Sequence, residues 1–169
     1  SERGLVGVQA GDGSGGLGTP ARPAAPPPDT PVDGATVDVD LDGEADLVVT
    51  LGPSADAAIY RNAGPPAPVL AQVLPEGDGD VAAGDLDGDG RPDLLLADFT
   101  FGGPGPLGIW RALNIGDLTH LPFMAPSLVA GKGSFDVEAG DLDEDGDLDM
   151  VAYVDLKSVR TWLNTAGEL

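Results

Sequence analysis

The chain has 169 residues, the length of one typical domain, and contains no cysteine, which excludes disulfides, thiolate metal sites and cysteine nucleophiles. Its 29 acidic residues against 8 basic ones give a formal net charge of −21 at pH 7. Nucleic acids and anionic lipid surfaces are bound through Lys and Arg, so this charge argues against both as partners and favours cations. No apolar run reaches the roughly 20 residues that cross a bilayer, and we expect no membrane insertion.

The composition predicts an all-β protein. Hydrophobic residues make up 41% of the chain, too many for a disordered acidic tail. The 26 glycines and 16 prolines interrupt the chain too often for long helices, and they indicate short strands joined by turns. The chain begins with Ser1 rather than Met, and we expect it to be a processed product or a piece of a longer protein.

Residues 1–30 are predicted to form the second half of a structural unit followed by a linker. Residues 5–11 and 17–22 have the character of a third and a fourth strand, and residues 20–31 are rich in proline. Residues 11–16 match G-x-G-x-x-G and resemble a serine-protease GDSGG motif. A nucleotide site would need a following helix, and a protease would need a preceding histidine. We therefore interpret this segment as a hairpin turn.

Three nine-residue stretches, at 38–46, 85–93 and 141–149, share the pattern D-x-D-x-D-G-x-x-D. Four carboxylates this close repel one another unless a cation lies between them. Positions 1, 3 and 5 turn inward when the backbone curls around an ion, and the glycine at position 6 permits a positive φ. Position 7 can offer its backbone carbonyl, and the aspartate at position 9 completes a shell of oxygens, which favours Ca²⁺.

The candidate metal-site residues are Asp38, Asp40, Asp42, Glu44, Asp46, Asp85, Asp87, Asp89, Arg91, Asp93, Asp141, Asp143, Asp145, Asp147 and Asp149. An EF-hand would need a glutamate at position 12 and flanking helices. Position 12 is instead Val49, Leu96 or Ala152, and the residues that follow each loop are typical of strands. The pattern therefore excludes an EF-hand.

The flanks of the three loops repeat as well. A short apolar stretch precedes each loop and a strand follows it, and a further strand then ends at a corner that contains Asn62, Asn114 or Asn164. A fourth apolar stretch follows in the first two cases, at 68–74 and 118–124. We therefore predict units at 31–75, 76–127 and 128–169 with four, four and three strands, which makes thirteen with the two N-terminal ones.

Thirteen strands are too few for a closed β-propeller, which needs at least about 16 in four-stranded blades. The sequence thus predicts about three blades of an incomplete propeller, or one that shares its open blade edges with another chain. Residues 81–94 resemble the consensus of the FG-GAP/VCBS repeat family, which includes the calcium-binding propeller blades of integrin α-subunits. The resemblance implies Ca²⁺, about three ions, in the hairpin between the first two strands of each blade. The first loop departs from the pattern at Val37 and Leu41.

Several other residues have less specific interpretations. The single histidine, His120, is interpreted as a structural residue of a strand, and the aromatic residues Tyr60, Trp110 and Trp162 as blade packing at one repeated position. A ligand-stacking rim is the alternative for these aromatics. A glycosidase carboxylate pair is also an alternative, but the metal loops account for twelve of the aspartates.

The resemblance implies a non-catalytic module for recognition, adhesion or assembly, secreted or at the cell surface, with a protein or glycan partner. Two alternatives stay open: a propeller segment of a larger polysaccharide-active enzyme, and a carbohydrate-binding lectin. The sequence favours the non-catalytic module because it lacks a convergent nucleophile, base and oxyanion donor.

Overall fold

The computed structural model describes residues 7–9, 14–22, 30–52, 54, 56–62, 64, 68–99, 108–116, 127–130, 134–154 and 157–165. These residues form eleven strands, and no helix among them is long and apolar enough to cross a membrane. In chain order the strands are β1 (Thr30–Val37), β2 (Asp46–Gly52), β3 (Asp56–Arg61), β4 (Val69–Pro75), β5 (Val81–Gly84), β6 (Asp93–Asp98), β7 (Gly108–Ala112), β8 (Ser127–Ala130), β9 (Ser134–Gly140), β10 (Asp149–Val154) and β11 (Ser158–Trp162).

The strands form three antiparallel sheets. The first has the order β1-β2-β3-β4, the second β5-β6-β7-β8 and the third β11-β10-β9. This all-β arrangement of blade-like sheets confirms the predicted incomplete propeller. The two predicted N-terminal strands are represented, in the described residues, by one antiparallel bridge between Val8 and Ala21.

The fourth strand of the second sheet is β8, which pairs with β7. The stretch at 118–124, predicted for this strand, lies outside the described residues. The predicted boundary between the second and third units, after residue 127, falls within β8, and the limits of the units stay predictions.

Two apolar cores lie between neighbouring sheets. The first contains Val48, Ile59 and Leu74 together with Leu94 and Leu96, and the second contains Leu95, Ala97 and Ile109 together with Met150, Ala152 and Val154. The central strands β2 and β6 are apolar on both faces because both faces are covered, and they appear in the sequence as continuous apolar runs. In β10 buried and exposed residues alternate, so only one face is covered.

The registers correct the predicted equivalence of three aromatic residues. Tyr60 and Trp162 each lie opposite the residue that follows the ninth-position aspartate of their loop. Trp110 lies opposite Leu96, two residues further along β6, and Ala112 takes the equivalent position. The reason is that Trp110 lies four residues before its corner asparagine, whereas Tyr60 and Trp162 lie two residues before theirs. Tyr60 is fully buried, and both tryptophans pack against the inter-sheet cores, which confirms the packing role.

Hydrogen bonds from two corner asparagines join the second and the third sheet to the loop of the preceding sheet. The side-chain Nδ2 of Asn114 donates to the backbone carbonyl of Val39 at 2.8 Å, and that of Asn164 donates to the carbonyl of Leu86 at 2.8 Å. Val39 and Leu86 are the second residues of their loops. We call this contact, from a corner asparagine to the second loop carbonyl of the preceding sheet, the interblade clamp. Because it repeats, the loops form part of the contact between blades.

Candidate metal centre

Each acidic loop closes the hairpin between the first two strands of its sheet, as the resemblance implied. The residue before the loop pairs with the ninth-position aspartate in every case: Val37 with Asp46, Gly84 with Asp93, and Gly140 with Asp149. The three loops are therefore equivalent by strand register as well as by sequence.

The ninth-position aspartates hold the loop to the corner of the sheet. Oδ2 of Asp93 accepts a hydrogen bond from the backbone N–H of Leu86 at 3.0 Å, and its Oδ1 accepts one from the N–H of Asn114 at 2.8 Å. Asp46 and Asp149 accept the equivalent pairs of bonds at 2.7 to 2.9 Å. All three aspartates are at most 1% exposed. The corner asparagines were recognised in the sequence as a repeat, but this partnership needed the structure.

The first aspartate of each loop organises the turn around its own carboxylate. Asp85 accepts hydrogen bonds from the backbone N–H groups of Gly88, Asp89 and Gly90 at 2.9 to 3.1 Å. Asp38 and Asp141 also accept from the glycine at position 6, at 2.9 and 3.1 Å. That glycine has a φ of 91°, 86° or 98° in the three loops, which confirms the need for glycine there.

Position 4 of each loop also has a positive φ, which the sequence analysis did not anticipate. Glycine occupies it in the second loop with a φ of 77°, but the other two loops have Leu41 at 58° and Glu144 at 63°. Residues with a Cβ are strained in this region of backbone conformation. Leu41 and Glu144 therefore lower the stability of the first and third loops at this turn.

Carboxylate oxygens converge in all three loops to within 4.8 Å of one another. The converging groups are Asp38, Asp40 and Asp42 in the first loop, Asp85, Asp87 and Asp93 in the second, and Asp141, Asp143 and Asp149 in the third. Positions 1 and 3 thus meet in every loop, and the third member is position 5 or position 9. Each group could hold a metal ion, and its donors are all oxygens, the type that Ca²⁺ takes.

The residues at position 7 direct their backbone N–H groups toward the loop. Those of Glu44, Arg91 and Asp147 each donate at 2.9 Å to the carboxylate at position 5, which is Asp42, Asp89 or Asp145. This contact tightens the turn. The carbonyl role predicted for position 7 stays a prediction.

Two arginines place their own positive charge on loop carboxylates. The guanidinium of Arg61 forms an ion pair with Asp40, and that of Arg91 forms one with Asp89. Arg91 also donates from Nε to the backbone carbonyl of Asn114 at 2.9 Å. The sequence analysis missed Arg61 because it lies on β3, 21 residues after Asp40. The feature of the sequence that could have indicated this contact is the position of Arg61 immediately before the corner asparagine.

Several loop carboxyls have a raised pKa. Burial raises the pKa of Asp46 and of Asp93, and nearby loop carboxylates add to the shift, against the opposing effect of the two backbone hydrogen bonds. In the third loop, desolvation and the carboxylates of Asp145 and Asp149 raise the pKa of Asp143. A raised pKa means that the negative charge of the carboxyl is disfavoured in the folded chain, and a bound cation would offset that effect.

A separate acidic pocket of about 410 Å³ lies where the first strands of the three sheets approach one another. It is lined by Val32, Asp33, Gly79, Asp80, Phe99, Asp136 and Tyr153. The three aspartates each stand five residues before an acidic loop. Asp33 and Asp80 accept hydrogen bonds from the backbone N–H groups of Val81 and Val137, at 3.2 and 3.0 Å, and so also join neighbouring sheets. Burial and a hydrogen bond with Asp80 raise the pKa of Asp33.

Two motifs remain beyond what the structure describes. His120 and residues 11–13 of the glycine-rich segment at 11–16 lie outside the described residues. Their interpretations as a structural histidine and a hairpin turn stay predictions.

A similar fold occurs in the structure of an Agrocybe aegerita lectin described as recognising non-reducing terminal N-acetylglucosamine. The two chains are 20% identical, with a TM-score of 0.55 over 98% of this chain and 49% of the lectin chain. At this identity the likeness concerns the fold. This chain therefore spans about half the length of that structure.

No curated protein matches the chain significantly. The model of the FG-GAP-like repeat matches twice, over residues 38–96 and 85–152. Together the matches cover residues 38–152, which include all three acidic loops. Because these matches span most of the chain and coincide with the repeated hairpins, the chain belongs to the family of FG-GAP-like repeat proteins.

Proposed function

We propose that this chain is a calcium-stabilised, non-catalytic recognition segment of a β-propeller that acts outside the cell and binds glycans. The observation that supports calcium is the convergence of three carboxylates in each of three equivalent loops. A shell of oxygen donors suits Ca²⁺ better than Zn²⁺ or Cu²⁺, which take nitrogen and sulfur ligands.

Within each loop, the aspartates at positions 1 and 3 would hold the ion, together with position 5 or position 9. Bound calcium supplies the positive charge that offsets their mutual repulsion. The ninth aspartate meanwhile ties the loop to its corner asparagine, and the asparagine ties it to the preceding blade in the second and third sheets. Calcium would therefore stabilise the contacts between blades as well as the hairpin itself.

Thermal unfolding with calcium or with excess EDTA tests this proposal. Binding adds about 2.7 kcal/mol per site at a free concentration one hundred times Kd, so we expect chelation to lower the Tm markedly. Calorimetric titration should find fewer sites in Asp87→Asn, and the same number in Glu138→Gln, an exposed acid on β9 outside the loops. An unchanged Tm after verified metal removal would contradict the calcium role.

The acidic pocket supports a glycan as the ligand. Phe99 and Tyr153 offer aromatic surfaces to a sugar ring, and Asp80 and Asp136 offer acceptors for its hydroxyl groups. The lectin of similar fold, which recognises non-reducing terminal N-acetylglucosamine, makes a glycan with that terminus the first probe. We propose a non-catalytic role because the aspartates of the three loops surround the candidate cation sites and would act there as metal ligands.

Calorimetric titration of such a glycan into the calcium-loaded chain tests the pocket. We expect Asp136→Asn and Tyr153→Ala to weaken binding at least about tenfold, because each removes a direct contact. The matched control is Glu138→Gln, two residues further along β9 and outside the pocket. Equal binding by all the variants would place the ligand elsewhere, and no binding of any glycan tested would refute glycan recognition.

A further inference from the structure

The aspartates of the acidic pocket come from three different sheets. Asp33 lies on β1, Asp80 immediately precedes β5, and Asp136 lies on β9. Among the described residues that line the pocket there is no lysine, arginine or histidine. The pocket therefore has a net negative charge that no basic residue of its described wall offsets, and this charge favours a ligand with a positive group.

Two of these carboxyl groups contact each other. The side chains of Asp33 and Asp80 form a hydrogen bond, and such a bond between two carboxyls requires a proton. Each of the two also accepts a backbone N–H from the neighbouring sheet, that of Val81 at 3.2 Å and that of Val137 at 3.0 Å. These backbone bonds hold the carboxyls side by side. A bound cationic group would offset their mutual repulsion in place of the proton.

Asp136 and Tyr153 place a carboxylate beside an aromatic ring in the same pocket. They lie directly opposite each other in the pairing of β9 with β10, so their side chains share one face of the third sheet. Asp136 is exposed and Tyr153 is 37% exposed. A sugar ring that stacks on the tyrosine would therefore carry its substituents within reach of the carboxylate.

Phe99 is fixed beside the same cavity. Its backbone N–H donates to Oδ1 of the buried Asp78 at 2.9 Å. Its ring lies so close to Gly79 that a Cβ added there would come within 3.1 Å of Cδ1 of the phenylalanine. A buried hydrogen bond and the absence of a side chain at Gly79 thus hold this aromatic wall in place. Aromatic surfaces beside carboxylates suit a ligand with an apolar ring face and a positive charge.

We propose that the acidic pocket selects glycans whose sugars carry a free amino group, such as glucosamine units, over their N-acetylated forms. The inference rests on the glycan role proposed above and names the class of sugar. A protonated amine supplies a positive charge and three N–H donors, whereas an acetamido group supplies one neutral N–H. Hydrogen bonds between ionised groups are shorter and stronger than neutral ones, and an ammonium is also attracted to the face of an aromatic ring.

Calorimetric titration of two disaccharides into the calcium-loaded chain, at a pH where the amine is protonated, tests the inference. One disaccharide consists of glucosamine units and the other of N-acetylglucosamine units, so the pair differs only in the acetyl groups. We expect the free amine to bind at least about tenfold more tightly. Asp136→Asn should reduce this preference at least about threefold, because it removes the charge and keeps a hydrogen-bond acceptor. Glu138→Gln removes the same charge outside the pocket and should keep the preference.

A third probe, N-acetyl-lysine amide, carries an ammonium group without a sugar ring. It should bind at least about tenfold more weakly than the glucosamine disaccharide, and equal binding would overturn the inference because the pocket would then recognise charge alone. Equal affinities of the two disaccharides, or a preference that Asp136→Asn leaves unchanged or Glu138→Gln reduces as much, would overturn it and leave the glycan role intact. Binding of neither disaccharide would refute the glycan role itself, and the inference with it. Thermal unfolding verifies that each variant folds.

Discussion

The side-chain amide of Asn164 donates a hydrogen bond of 2.8 Å to the backbone carbonyl of Leu86, 78 residues earlier in the chain. The same amide donates at 3.1 Å to the carbonyl of Leu148 in the acidic loop of its own sheet, and the backbone N–H of Asn164 donates to Asp149. One buried asparagine thus connects the third sheet, its own acidic loop and the loop of the preceding sheet.

We expect Asn164→Ala to lower the free energy of unfolding by about 1–3 kcal/mol, because it leaves buried carbonyls without their donor. Urea unfolding in dilute solution measures the effect. The matched control is Asn62→Ala, the same substitution where the side chain makes no described hydrogen bond, and it should change stability by less than about 0.5 kcal/mol. Equal losses in the two variants would contradict a role of the clamp in joining blades.

The ion pair between Arg61 and Asp40 places a competing cation at the first acidic loop. We expect Arg61→Met to strengthen calcium binding at that loop about tenfold, because it frees a ligand carboxylate and removes a nearby positive charge. Calorimetric titration should show the change at one site, with the other two unaffected. Arg160→Met removes an equal charge from exposed β11 and serves as the control; the same gain in both variants would indicate a general charge effect.

Glu144 has a φ of 63°, where the second loop has a glycine. Replacing it by glycine should raise the free energy of unfolding by about 1 kcal/mol, since glycine has no Cβ to strain this turn. Glu144→Gln removes the same negative charge and keeps the strain, so the difference between the two variants in urea unfolding isolates the backbone. If the glutamine variant gains as much, the effect comes from charge.

The raised pKa values of Asp46 and Asp93 predict opposite pH dependence with and without calcium. A carboxyl with a raised pKa binds its proton more tightly in the folded than in the unfolded chain. Its contribution is therefore present at low pH and is lost as the pH rises through the folded pKa. In EDTA we expect the Tm to rise as the pH falls from 7 toward about 5.

With calcium present, protons compete with the ion for the same carboxylates, and the Tm should fall over the same range. Thermal unfolding at a series of pH values measures both curves. A Tm that falls on acidification in EDTA would contradict the raised pKa that burial gives Asp46 and Asp93 in the folded chain.

Much of the fold follows from local sequence. The continuous apolar runs 47–49 and 94–96 predicted buried strands, because a strand covered on both faces needs no polar alternation. The spacing D-x-D-x-D-G-x-x-D predicted a turn with glycine at position 6, and its positive φ is found in all three loops. These features depend on neighbours within about ten residues, so a single sequence contains them.

Strand register could not be obtained in this way. Trp110 was matched with Tyr60 and Trp162, but pairing with Leu96 places it two residues away from the equivalent position. A register is decided by which side chains fit the neighbouring sheet, and a strand can slide by two residues while it keeps its faces. The pattern of apolar residues alone does not distinguish the two registers.

The net charge of −21 and the repeated aspartates established from sequence alone that the chain has three clustered acidic loops. Only the tertiary structure decided which carboxylates converge, that Arg61 reaches Asp40, and that Asn114 and Asn164 join a loop to the next blade. The reason is separation along the chain. The loops are local, whereas their partners lie 21 to 78 residues away. Arg61 meets its loop through strand pairing within the first sheet, and the two asparagines meet theirs because the sheets pack face to face.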